Sequence, residues 1–176
     1  HYPLQTAIFE AENDVADCTT KANSAILHAG YDPEPGTRMA RLNVEGSALA
    51  KEICARLDVP YLQCGSLVLA LSPEELPHLQ KLYENGIANG VPGIRLLTAE
   101  ETLAMEPQLA PTVAGALFAP SAAIVSPWEF ALAMAEVAVR NGVELHLSSP
   151  VTGIQKTVSG WALTTPSGVV EASYVV

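Results

Sequence analysis

Apolar and polar positions alternate along this chain with two different periods. Between 37 and 57 the apolar residues Met39, Leu42, Val44, Leu49, Ile53 and Leu57 form one stripe at helical spacing. Thr37 is placed as its N-cap, and Asp58-Val59-Pro60 as its stop, because a residue before proline avoids the α region. By contrast Thr6-Ala7-Ile8-Phe9 is a short apolar run bounded by Glu10 and the loop formers Glu12, Asn13 and Asp14, which predicts a buried parallel strand. A carboxylate at the carboxyl end of such a strand is where a doubly wound fold makes a ribose contact.

Further elements follow the same logic. The run 65–71 predicts a strand, and Ser72-Pro73-Glu74-Glu75 opens a helix with proline at its first position, ending near Asn85 at the stop signals Gly86 and Gly90. Thr98 and Glu101 match a capping box for a short helix reaching Met105, ahead of a proline-rich stretch; 113–120 then predicts a strand. Ser126-Pro127-Trp128-Glu129 starts a last helix ending at Asn141-Gly142. The segments 144–147, 151–158, 161–165 and 169–176 predict strands, with turns at Ser159-Gly160 and Ser167-Gly168. Parallel-type strands with helices at both ends, and antiparallel-type strands in the middle, predict a mixed α/β (α+β) fold of two interwoven domains.

Composition narrows the function. With 49% hydrophobic residues the 176-residue chain can bury a sizeable core. A net charge of −10 is the wrong sign for nucleic acid or an anionic bilayer. No run is long enough to span a membrane and no signal peptide is evident, so a soluble, cytoplasmic protein is expected. Cys18, Cys54 and Cys64 are odd in number and form no CxxC, which predicts buried free thiols. His78 and His146 lack partners at metal-ligand spacing, so no metal is expected, and no GxSxG marks a hydrolase. The chain opens at one strand-like run and stops within another, 172–176, which predicts an internal piece of a longer polypeptide.

Chemistry concentrates in one stretch. Two hydroxyls, an ammonium, an amide, a third hydroxyl and an imidazole fall within ten residues, in Thr19-Thr20-Lys21-Ala22-Asn23-Ser24-Ala25-Ile26-Leu27-His28-Ala29-Gly30. This stretch resembles the T/S-S-x-x-N-S-x-x-I/L-H-A-G pattern after the second strand of flavin oxidoreductases of the D-amino-acid oxidase superfamily, which includes glycerol-3-phosphate dehydrogenases and L-2-hydroxyglutarate oxidases. The resemblance continues through Arg41-Leu42-Asn43-Val44-Glu45-Gly46, Cys64-Gly65-Ser66-Leu67-Val68 and Gly115-Ala116-Leu117-Phe118-Ala119-Pro120 to Ile124-Val125-Ser126-Pro127.

That resemblance implies a partial FAD-binding, Rossmann-like domain made of 1–58 and 126–176, interwoven with an antiparallel-sheet substrate domain at 59–125. Glu10 would hold the adenosine ribose. Thr19, Thr20, Lys21, Asn23 and Ser24 would lie along the pyrophosphate and the ring of FAD, and Val151 would meet the adenine through its backbone. Lys21 stands where other members carry a small polar residue, so a solvated side chain is its alternative. His28 would take or orient the substrate hydroxyl proton during hydride transfer to flavin N5. Tyr31 and Arg41 would contact an anionic substrate, a helix-surface charge being the alternative for Arg41.

The implied activity is oxidation of a small molecule, glycerol 3-phosphate, with L-2-hydroxyglutarate as the alternative substrate. The sequence departs from the family in lacking the G-x-G-x-x-G turn that receives the pyrophosphate. Weak or no FAD binding, and no turnover, are therefore expected of these residues alone. A peripheral membrane association remains open for the parent protein. A different class of reading is a non-catalytic assembly module, in which exposed strand edges bring copies together as a homo-oligomer.

Overall fold

The computed structural model describes residues 4–176. In chain order its elements are β1 (Ala7–Phe9), β2 (Ile26–Leu27), α1 (Arg38–Leu57), β3 (Tyr61–Leu62), β4 (Ser66–Ala70), α2 (Leu76–Asn89), β5 (Arg95–Thr98), α3 (Ala99–Met105), β6 (Gly115–Ala119), β7 (Ala123–Val125), α4 (Pro127–Arg140), β8 (Glu144–His146), β9 (Gly153–Lys156), β10 (Trp161–Thr165) and β11 (Gly168–Ala172). Single 3-10 turns occur at Cys18–Thr20 and Pro73–Glu75. The chain forms two units: the residues up to Asn23 with Pro127–Val176, and Ser24–Ser126.

The second unit carries two antiparallel sheets, ordered β2-β7-β3 and β4-β6-β5. Strand β6 is central, and its Gly, Ala and Leu residues let it be covered on both faces. Leu79 and Leu82 of α2 bury themselves with Leu117 of β6 and with Ile94, Ala70 and Tyr31. Each fully buried leucine of this kind stabilises by about 1.5–3 kcal/mol.

Helix α1 begins as expected, with the Thr37 hydroxyl accepting from the Ala40 N–H at 3.2 Å. It ends before Pro60 acts, because Asp58 turns left-handed at φ 55° and Val59 N–H closes on the Cys54 carbonyl at 2.9 Å. Helix α2 overruns its expected end. Gly86, read as a stop, is buried inside it, where a Cβ would run into Ile94 Cδ1 and meet Tyr31 Cβ at 3.2 Å. The helix stops at Gly90, φ +79°. Pro73 belongs to a 3-10 turn, so α2 starts three residues later than expected, with Pro77 in its first turn. Both bonds of the capping box on α3 are present.

In the first unit β1 and β8 pair in parallel, with Phe9 opposite His146. The expected parallel strand is formed, but its burial is not: Ile8 is 42% exposed, since β8 is its one strand neighbour among the described residues. Strands β9, β10 and β11 make an antiparallel meander. The expected strands 151–158 and 169–176 are shorter than read, because the ladder extends only as far as the five residues of β10 supply partners.

One sequence expectation changes with these contacts. All three cysteines are free, but only Cys54 is buried; Cys18 sits in an open turn and Cys64 in a loop, both exposed. Residues 24–58, grouped by resemblance with the cofactor-domain remnants, share a contact unit with the antiparallel sheets, and Val44 of α1 packs against that unit's core. No helix among the described residues is long and apolar enough to cross a membrane.

Candidate functional site

Glu10 stands where β1 ends. Its N–H donates to the His146 carbonyl at 2.9 Å and its carbonyl accepts from Ser149 N–H at 2.7 Å, so the backbone is tied to the parallel pair. The half-buried carboxylate takes the Glu12 N–H on Oε1 at 2.9 Å, which fixes the side chain at the strand's carboxyl end.

The donor-rich stretch is a wound, strained turn. Ala16, Cys18 and Ala25 all have positive φ, at 65°, 59° and 63°. Left-handed conformations at such residues cost on the order of 1–2 kcal/mol each and persist where surrounding bonds over-determine them. The bonds here are visible. Ala22 N–H reaches the Cys18 carbonyl at 3.2 Å, and Asn23 Nδ2 donates to the carbonyls of Thr20 and Thr19 at 2.8 and 3.1 Å.

Thr19, Thr20, Lys21 and Asn23 are thus brought into one turn of the first unit. Within it the Lys21 ammonium pairs with the Asp17 carboxylate and the Asn23 amide locks the turn. Thr19 and Thr20 remain exposed on that turn. Val151 lies just before β9, 36% exposed, and the neighbouring Thr152 N–H is spent on the Thr164 carbonyl at 2.9 Å.

Ser24, His28, Tyr31 and Arg41 belong to the second unit. Ser24 is exposed ahead of β2, and His28 emerges, also exposed, where β2 releases its pairing with β7. Tyr31 is 7% exposed and part of the core, not a surface group. Burial pushes its phenol pKa up, the neighbouring Ser66 hydroxyl acts the other way, and the Asp32 charge adds to the rise. Arg41 is exposed on α1 and pairs with Glu45 one turn on, at 3.7 Å.

Sequence reasoning missed three residues around the His28 loop. Asn89 donates to the carbonyls of Gly30 and Pro33, and Gly86 lets α2 approach Tyr31. Asn43 Oδ1 is buried near Gly30 and has no hydrogen-bond partner among the described residues. No local signal identifies Asn89, because its contacts lie 59 and 56 residues away.

The groups present suit a dinucleotide. A ribose diol calls for a carboxylate acceptor and a pyrophosphate for hydroxyl donors, and Glu10, Thr19 and Thr20 supply both kinds within one unit. Comparison with known proteins shows the family. A family model described as FAD dependent oxidoreductase (DAO) matches residues 1–176. The glycerol 3-phosphate dehydrogenase of Caloramator mitchellensis is 47% identical over 175 residues, 99% of this chain and 36% of that protein. The human mitochondrial L-2-hydroxyglutarate dehydrogenase is 36% identical over 155 residues, 88% of this chain and 33% of that protein. Among solved structures, the FAD-bound L-α-glycerophosphate oxidase of Mycoplasma pneumoniae superposes with TM-score 0.83 at 28% identity, covering 90% of this chain and 42% of that one. Glycine oxidase from Geobacillus kaustophilus gives TM-score 0.86 at 28% identity, covering 96% and 47%. The chain spans about a third of the length of the two dehydrogenases. It belongs to the DAO family of FAD-dependent oxidoreductases.

Proposed function

We propose that this chain serves an FAD-dependent dehydrogenase that oxidises glycerol 3-phosphate. The observation carrying the cofactor half is Glu10 at the end of a parallel strand, followed within ten residues by a locked turn that leaves Thr19 and Thr20 exposed. The substrate half rests on likeness to the Caloramator protein.

In this reading the Glu10 carboxylate accepts from the ribose hydroxyls, and Thr19 and Thr20 donate to phosphate oxygens. Asn23 and the Lys21–Asp17 pair hold the turn that presents them. Ser24 and the backbone at Val151 are further cofactor contacts. Bound flavin supplies a two-electron acceptor. His28 takes the proton of the substrate hydroxyl as the carbon bearing it is oxidised, and Arg41 attracts the substrate's anionic group. Tyr31, being buried, contributes through the shape of the loop it anchors. We place the protein in the cytoplasm, with copies able to pair through exposed strand edges.

A second reading, oxidation of L-2-hydroxyglutarate, is favoured by the likeness to the human enzyme. A flavin titration followed by a substrate screen on the holoenzyme carrying this chain tests both. Flavin bleaching by glycerol 3-phosphate and not by L-2-hydroxyglutarate supports the first, and the reverse supports the second. Absence of flavin binding in that protein overturns both in favour of a non-catalytic assembly module.

A further inference from the structure

A side chain at the end of α2 ties down the loop that follows His28. Asn89 Nδ2 donates to the carbonyl oxygens of Gly30 at 2.9 Å and Pro33 at 2.8 Å. Two amide hydrogens thereby satisfy two carbonyls of a partly buried loop. The same loop also approaches α1 closely. Gly30 has φ +107°, and a Cβ there would lie 2.6 Å from Val44 Cγ2 and 3.3 Å from Asn43 Oδ1. Between these two holds Tyr31 is buried against Gly86 of α2. Residues 30, 31 and 33 are therefore each fixed, while His28, two residues upstream, is exposed.

An asparagine at a helix end usually serves the helix itself. Here α2 is closed without it: Gly90 N–H bonds the Ile87 carbonyl at 3.1 Å and Val91 N–H the Gly86 carbonyl at 2.8 Å. The Asn89 amide donates to the loop instead.

We propose that Asn89 is a positioning residue whose carboxamide sets the path of residues 30–33 and with it the direction in which His28 leaves β2. Its consequence for catalysis rests on the role given to His28 above; the clamp itself does not.

The test compares the holoenzyme carrying this chain with its Asn89→Asp variant, which keeps the shape but has no donors at neutral pH, and with Asn89→Ala and Asn89→Gln. Hydrogen exchange is read at the amides of 29–34 and along α2, and the His28 ring is followed by NMR. Loss of the clamp should speed exchange at 29–34 on the order of tenfold, move the His28 ring signals in both the Asp and Ala variants, and leave α2 protected. Gln, which retains both donors on a longer arm, should restore part of the protection. Unchanged loop exchange and ring signals in Asp and Ala overturn the proposal, as does exchange rising equally along α2, which would mark a helix-stabilising residue. In the holoenzyme, Asn89→Asp should lower kcat with KM nearly kept. If the wild-type holoenzyme oxidises neither substrate, the role of His28 falls, and the exchange and ring signals still decide the clamp.

Discussion

The ring of Phe9 stacks on that of His146 across the parallel pair, centroids 4.7 Å apart and planes 7° apart. This contact joins the strand that presents Glu10 to its neighbour, so it bears on where that carboxylate stands. Glu144, at 3.4 Å from His146 Nε2, steadies the imidazole from the same strand.

Phe9→Ala is expected to destabilise the first unit by about 2–3 kcal/mol, and Phe9→Leu, which keeps apolar area but loses the stack, by about 0.5–1.5 kcal/mol. Both tryptophans, Trp128 and Trp161, lie in that unit, so urea unfolding followed by tryptophan emission reads it directly. Equal losses for Ala and Leu would assign the effect to the stack alone, and no loss for either would show the pair to be incidental.

In the second unit one close approach is at Gly30. A Cβ there meets Val44 Cγ2 at 2.6 Å, and the residue's φ of +107° disfavours any side chain. Gly30→Ala should cost about 2–4 kcal/mol, combining steric and backbone strain. Adding Val44→Ala removes the clash but not the φ strain. The double variant should therefore be less destabilised than the sum of the two singles, a coupling of about 0.5–2 kcal/mol in a thermal or urea double-mutant cycle. Strict additivity would contradict the close approach.

How much of this was legible in sequence depends on how local the cause was. The Thr98–Glu101 box and the Thr37 cap are interactions between residues three apart, and both formed as read. Gly86 was misread because a glycine that ends a helix and one that admits a neighbouring element look alike until Tyr31 and Ile94 are in place. The motif at 19–30 announced chemistry by its residue types. What the types do not carry is that Asn23 and Lys21 are engaged within the turn, or that Tyr31 is buried. Asn89 was invisible because its partners are backbone carbonyls far along the chain.

Alkaline pH should act mainly on the second unit. Burial raises the pKa of Tyr31, Cys54 and Tyr61, all within Ser24–Ser126. A group with a raised folded pKa holds its proton more tightly when folded. The stability it contributes is complete below its ordinary value and is lost as pH rises through the folded one. The loss should begin above about pH 8.5 for the thiol and about pH 10 for the phenols. Exchange of core amides at Leu79, Leu82 and Leu117, followed from pH 8 upward with correction for intrinsic rates, checks this. Cys54→Ala should remove the earlier part of the decline, Tyr31→Phe part of the later one. A decline unchanged in both variants would place its origin elsewhere.

The last prediction concerns the imidazole that β2 delivers to the surface. His28 follows a strand whose pairing with β7 is antiparallel and short, and the residues after it are held by Asn89, Gly86 and Val44. An exposed ring on an anchored loop suits a proton acceptor, which must be reachable yet held within hydrogen-bond distance of its donor. In the holoenzyme carrying this chain, His28→Asn should leave the flavin spectrum and content unaltered, because the proposed cofactor contacts are Glu10, Thr19, Thr20, Ser24 and the Val151 backbone. General-base assistance contributes roughly 100- to 10,000-fold to rate, so kcat with glycerol 3-phosphate should fall by about 100-fold or more. KM should change little if the imidazole acts mainly in the transition state. Glu10→Gln supplies the converse, a loss of flavin affinity with kcat retained in the fraction still loaded. A His28→Asn enzyme with wild-type kcat would reduce this histidine to a surface residue, whereas one that had lost its flavin would move it to the cofactor contacts.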